Sequence, residues 1–201
     1  MSEAFQFAGN PDAIDIPSPA DGGLDFGNDK DLSIMAWIQV SEPPELDGGQ
    51  STIVSKGDGG GNSRILFKIR GNQVSVTFAD AKAATADFRS KAEVIDGKWH
   101  HVLFVADRDK ATRLYIDGVL DSEGNASKET DVTTESPLFI GASVRVGKQT
   151  RRYFEGLIDE VGIYNRVLSA GEIKQNMSAQ GLATHPLGKL ALVWGTIKLA
   201  K

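Results

Sequence analysis

Short runs of alternating apolar and polar residues recur along the chain, separated by clusters of glycine, proline, asparagine and aspartate. A period of two puts successive side chains on opposite faces of an extended segment, so each run predicts a strand. AFQFA alternates from Ala4 to Ala8, and LSIMAWIQV, from Leu32 to Val40, is a longer and mostly apolar strand. RILFKIR and QVSVTFA flank Gly71-Asn72, which predicts a hairpin turn. KWHHVLFVAD and TRLYI come next. Asp117-Gly118 then separates YI from VL and is the strongest short hairpin signal in the chain. SPLFIGA and FEGLIDEVGIY complete the set. Many short strands with turn signals between them predict an all-β sandwich or barrel.

One helix is expected. Ser169 and Glu172 have the spacing of a capping box, and Leu168 with Ile173 fits a hydrophobic staple. Gly181 marks the expected stop. Just before this helix, LIDEVGIY holds two adjacent acids in an apolar strand. Strict alternation places Leu157, Asp159, Val161 and Ile163 on one face and Ile158, Glu160, Gly162 and Tyr164 on the other. Asp159 then shares the more apolar face, where an ionised carboxylate needs a partner.

The 201 residues suit one large all-β domain better than two small ones. They are enough to bury a core without covalent staples. A sandwich is expected over residues 1–181. Residues 182–201 form a C-terminal segment, mostly HPLGKLALVWGTIKLAK, which is either a late strand or a tail whose partner is absent. The loops 41–50 (SEPPELDGGQ) and 57–63 (GDGGGNS) are the richest in turn formers.

Charge and composition narrow the classes. The net charge is −5 with acids and bases mixed, which argues against a nucleic-acid binder and its basic face. No apolar run is long enough to insert in a membrane. Cysteine is absent, so there is neither a disulfide framework nor a thiolate metal site. The opening MSEAFQFAG shows no basic n-region and no apolar h-region, so no signal peptide is visible. The chain is then either cytoplasmic or a domain of a longer protein.

Four stretches, in order, resemble the laminin G-like domains of the concanavalin A-like lectin/glucanase group. FAGNPDAIDI is similar to the family's opening F-D-G loop, and LSIMAWIQV to its apolar strand with a tryptophan. DGKWHHVLFVADRDKATRLYIDGVL is similar to its W-H-H-V strand and Y-V-D-G hairpin, and FEGLIDEVGIYNRVLSAGEI to its I-D-E-V segment. Together they span most of Ala4 to Ile173. The resemblance implies two packed antiparallel sheets in a jelly-roll sandwich with one short C-terminal helix. It implies binding of glycans, or of proteins at cell surfaces and in matrices, outside the cell. Many members carry calcium, and catalysis is rare among them.

By the same resemblance, Asp159 helps hold a structural calcium with the N-terminal loop. Asp12 adds a carboxylate, and Gly9 and Asn10 add backbone or amide oxygens. Ala8 and Pro11 stand where the family usually has aspartate, which leaves a charge-poor site for an ion that wants six to eight oxygens. The alternative is that Asp159 accepts hydrogen bonds from backbone N–H groups or an arginine and fixes a sheet corner.

His100 and His101 are neighbours on a strand and point to opposite faces, so they do not grip one ion. A hydrogen-bonded core histidine is the expectation on both faces, with His101 beside Trp99, Leu103 and Val105 and His100 beside Val102 and Phe104. No catalytic residues are expected. The nearest match to the glucanase E-x-D-x-x-E strand motif is Glu45-Leu-Asp47-Gly-Gly-Gln50, in a Pro- and Gly-rich loop and lacking the last carboxylate. GDGGGNS lacks the spacing of a phosphate loop. The Asn-X-Ser triplets at Asn125 and Asn176 are chance matches by default.

The loop RVGKQTRRYF carries the ligand expectation. Arg145, Lys148, Arg151 and Arg152 concentrate positive charge in an acidic chain, Tyr153 comes directly after them, and Lys148, Arg151, Arg152 and Tyr153 are the expected site. Guanidinium forks suit carboxylate and sulfate groups, and an aromatic ring suits a sugar face. The alternative is a solvated loop balancing nearby acids. The expected function is therefore non-catalytic binding of a carbohydrate or glycoconjugate, with a preference for anionic glycans. The rival is a structural or protein-adhesion module of a larger surface protein, with no sugar site. Oligomeric state stays open.

Overall fold

The structure is a computed structural model and describes residues 4–20, 22–27, 29–45, 48–57, 63–80, 85–125, 130–145 and 149–178. The C-terminal segment 182–201 and the expected helix stop at Gly181 lie outside them.

Among the described residues, fourteen strands and one helix form in the order β1 (Phe5–Ala8), β2 (Ile14–Ile16), β3 (Leu32–Gln39), β4 (Gln50–Gly57), β5 (Arg64–Arg70), β6 (Gln73–Ala79), β7 (Thr85–Glu93), β8 (Trp99–Ala106), β9 (Ala111–Ile116), β10 (Val119–Asn125), β11 (Leu138–Ile140), β12 (Ser143–Arg145), β13 (Gln149–Arg151), β14 (Glu155–Tyr164) and α1 (Ala170–Met177). The first sheet runs β1-β14-β3-β8-β9-β10, the second β2-β11-β4-β5-β6-β7, and every pairing is antiparallel. Among the described residues the first and last strands, β1 and β14, lie side by side, as in a jelly roll. β12 and β13 form a separate small hairpin.

The expected turns form. Asp117 and Gly118 both take positive φ (50° and 75°), the left-handed pair that a tight hairpin demands. The core lies between the sheets, where Phe67 meets Phe104 edge to face at 5.2 Å and Phe78 meets Phe104 at 5.9 Å.

Strict alternation fails in β14. A bulge between Asp159 and Gly162 slips the ladder against β3, and Glu160 sits at φ +50°. One extra residue reverses the facing of the side chains beyond it. Ile158, Val161 and Ile163 therefore all belong to the inter-sheet core, and Asp159 does not share their face. Asp159 is nevertheless fully buried, and its Oδ1 accepts the Glu160 N–H at 2.8 Å. That bond sits at the bulge, so the carboxylate fixes the irregular turn of the strand.

The capping box is present, with the Ser169 hydroxyl accepting from Glu172 N and the Glu172 carboxylate accepting from Ser169 N. Leu168 and Ile173 are buried with Met35, Leu103, Val105 and Tyr164 in a second cluster on the outer face of the first sheet. The helix ends at Met177, before the expected stop. Asn176 is buried and hydrogen-bonds Tyr164. Among the described residues, no helix is long and apolar enough to cross a membrane.

Candidate functional site

The expected ligand loop is anchored from both sides at its C-terminal end. Arg152 leaves the β12–β13 hairpin in the left-handed region (φ +57°), and its carbonyl accepts Thr52 N–H at 2.9 Å. Phe154 N–H donates to Gly141 O at 2.8 Å, and Phe154 O accepts Gly9 N–H at 3.1 Å. The Phe154 ring is fully buried and meets Phe7 edge to face at 6.1 Å. Tyr153 lies between these two fixed neighbours. It lines an open cleft of about 1050 Å³ together with Gly9, Asn10, Gln39, Gln50 and Glu155. Gly156 also borders the cleft, at φ +137°, where a Cβ would stand 2.5 Å from the Gln39 carbonyl oxygen. Only glycine lets β14 start so close to β3. Lys148 lies outside the described residues, and so does the side chain of Arg151.

The four residues expected to hold calcium fall in two places. Gly9, Asn10 and Asp12 form a tight loop after β1, closed by Asp12 Oδ2 on Ala8 N–H at 2.8 Å and by Asp12 N–H on Gly9 O at 2.7 Å. Ala8 pairs with Glu155, whereas Asp159 lies four residues further along β14. At about 3.3 Å per residue that is a separation of roughly 13 Å, against metal–oxygen distances of about 2.3–2.6 Å. The four therefore do not fit one calcium ion. Among the described residues, no three His, Asp or Glu side chains converge as metal ligands either.

The histidines divide differently from expectation. His100 is the hydrogen-bonded one, with Nδ1 2.9 Å from Asp117 Oδ2 and Nε2 3.1 Å from Asp96 Oδ1. Burial disfavours its charged form, but these bonds and the two negative charges prevail and raise its pKa above 6.5. His101 is fully buried on the outer face of the first sheet, and neither ring nitrogen has a hydrogen-bond partner among the described residues. Burial lowers its pKa to about 4, with the Asp117 charge opposing. His101 is thus a core ring held by packing, and the expected side-chain hydrogen bond does not form there.

The family profile of the concanavalin A-like lectin/glucanases superfamily, in its laminin G-like branch, matches residues 9–174. The chain belongs to this superfamily. No curated protein matches it. Its fold is similar to that of the CBM40 of the Ruminococcus gnavus IT-sialidase bound to α2,3-sialyllactose, with a TM-score of 0.67 at 16% identity, covering 86% of this chain and 95% of that one. It is also similar to the binding domain of Paraclostridial Mosquitocidal Protein 1 (TM-score 0.64, 16% identity, 88% of this chain) and to the binding domain of botulinum neurotoxin serotype D (0.68, 17%, 88%). This superfamily member spans 45% and 42% of those two chains.

Within a superfamily that includes glucanases, the nearest acidic motif begins in a loop. Glu45 is exposed in a loop, Asp47 lies outside the described residues, and Gln50 opens β4. The rest of GDGGGNS, residues 58–62, also lies outside them.

Sequence reasoning missed a polar group on the outer face of the second sheet. The alternation of RILFKIR puts Arg64, Lys68 and Arg70 on that face, opposite to core-facing Ile65, Phe67 and Ile69. Asp87 Oδ1 accepts the hydroxyls of Ser75 (2.9 Å) and Thr77 (3.0 Å), and Asp87 Oδ2 accepts Arg70 Nη1 at 3.1 Å. The charged positions in RILFKIR were the available signal.

Proposed function

We propose that the chain is a non-catalytic carbohydrate-binding module that works outside the cell and prefers anionic glycans. The observation that carries this reading is Tyr153, held in the wall of an open cleft by the backbone bonds of its two neighbours, next to a positive charge at Arg152. A ring fixed in this way stacks on a sugar with little loss of conformational entropy. The cleft also offers the Asn10 and Gln50 amides for sugar hydroxyls, whereas the Gln39 amide nitrogen already donates to Gly97 O at 2.6 Å. The fold likeness to a module bound to sialyllactose, and to toxin binding domains, supports a binding role. A glycan array tests it. Sulfated and sialylated glycans should be retained over neutral ones, and Arg151→Ala with Arg152→Ala should erase the difference. Equal retention of neutral and anionic sugars sinks the anionic preference.

A protein-adhesion reading has one observation in its favour. Val119 and Leu120 are 68% and 50% exposed on β10, the last strand of the first sheet. Exposed apolar residues on an edge strand suit a protein partner. Capture of a matrix protein that is lost in Val119→Ser with Leu120→Ser, together with a blank glycan array, would favour this reading.

A further inference from the structure

On the outer face of the second sheet Thr52 stands directly opposite Lys68, so the two side chains rise together roughly 5 Å apart. Lys68 is only 4% exposed. Its ammonium has three donors, and its one hydrogen bond among the described residues goes to the Thr77 hydroxyl at 2.9 Å. That hydroxyl in turn donates a hydrogen bond to Asp87 Oδ1. The Asp87 oxygens are in turn occupied by Ser75, Thr77 and Arg70, so Lys68 has no carboxylate in direct contact among the described residues. A buried cation without a contacting counter-charge is unfavourable. Thr52 adds an independent sign. It is fully buried, and its Oγ1 has no hydrogen-bond partner among the described residues. Thr52 N–H donates to the Arg152 carbonyl, which sets Arg152 beside Thr52, and the Arg152 charge acts on Lys68. Unused donors and positive charge on one patch call for an oxyanion.

We infer that Lys68, Thr52 and Arg152 form a subsite for a sulfate or carboxylate carried by the glycan in the Tyr153 cleft. The subsite rests on the glycan-binding reading for its ligand and adjoins the cleft through Gln50, which lines the cleft and stands across from Arg70. The surroundings of Lys68 agree. Burial pulls its pKa down to about 8, Asp87 opposes, and Arg152, Arg70 and Arg64 push the same way as burial. Anion binding should therefore weaken as pH rises from about 7 to about 9, whereas a site made of arginines alone keeps its charge.

Calorimetry with lactose, α2,3-sialyllactose and sulfated lactose tests the subsite on the whole chain. Lys68→Met should weaken one or both anionic sugars tenfold or more and leave lactose unchanged. The two anionic arms say whether carboxylate or sulfate is the ligand. Thr52→Val, isosteric with threonine, should shift the same ratio by a few fold and serves if Lys68→Met does not fold. Inorganic sulfate, followed by NMR of the lysine side chains, probes the subsite without any sugar and should raise the Lys68 pKa. If no sugar binds but sulfate moves Lys68, the subsite stands and the glycan reading fails. If sulfate leaves Lys68 unmoved, or both variants weaken lactose and sulfated lactose equally, the subsite is wrong.

Discussion

The rings of Trp37 and His101 meet edge to face at 5.4 Å, on strands paired directly at those two residues. The imidazole is thus held by an aromatic neighbour while both its nitrogens lack a hydrogen-bond partner among the described residues. Its folded pKa, about 4, lies below the ordinary 6.5. The unfolded chain therefore binds a proton first as pH falls, and stability is lost between about pH 6.5 and about pH 4. At about 1.4 kcal/mol per unit the loss reaches about 3 kcal/mol. His100 works the other way, because its raised pKa contributes stability that is present below 6.5 and lost as pH rises through the folded value. His101→Phe should keep the ring contact, be at least as stable at neutral pH, and flatten the acid limb of the melting temperature. An unchanged acid limb would show that another group sets it.

Tyr153 contacts a ligand in the proposed function but carries little of the fold. Its neighbours Arg152 and Phe154 make the backbone bonds, and Phe154 fills the core. Tyr153→Ala should weaken glycan binding about tenfold, on the order of a lost aromatic contact, and shift the melting temperature little. Phe154→Ala should instead unfold or strongly destabilise the domain, by about 3–5 kcal/mol. Thermal melts paired with glycan titration separate the two.

Glu172 serves the helix start twice, as the far half of the capping box and as partner of Arg166 at 2.6 Å and 3.0 Å. The Arg166 bond first, then the Ser169 bonds, lower its pKa to about 2. A lowered carboxylate pKa gives stability present above about 4.5 and lost as pH falls toward about 2. The pair is partly exposed, so solvent screens it. Glu172→Ala should lower stability by about 1 kcal/mol in urea melts, and Glu172→Gln by less, because the amide still caps Ser169. Equal losses would mean that the ion pair dominates.

The separation of Asp12 from Asp159 gives a test for metal. Asp159→Asn should destabilise the bulge equally in calcium and in chelator, since its Oδ1 accepts the Glu160 N–H there. Asp12→Asn should loosen the loop at Ala8 by itself. A calcium-dependent rise in melting temperature that vanishes in Asp159→Asn would reinstate a shared site.

Much of the fold was legible. Short runs marked β1, β3, β5, β6, β8, β9, β11 and β14, and Asp117-Gly118 fixed a hairpin, because facing and turn geometry are set by neighbours in sequence. β2, β12 and β13 have three residues each, too short to show a period, and β7 carries many polar residues, so these were hidden. The extra residue at Asp159–Gly162 left no mark, since a bulge depends on the partner strand.

The sequence by itself determined the class of fold, the helix start, and the gathering of Arg152 with Tyr153. Only the tertiary structure decided what those residues meet. Lys68 is far from Arg152 in the chain, and Gly9 is far from Tyr153. Their meeting depends on strand order and register, which are set by the joint burial of two sheets and by no single segment. The same packing separated Asp12 from Asp159 and left His101 in the core without a side-chain hydrogen bond among the described residues.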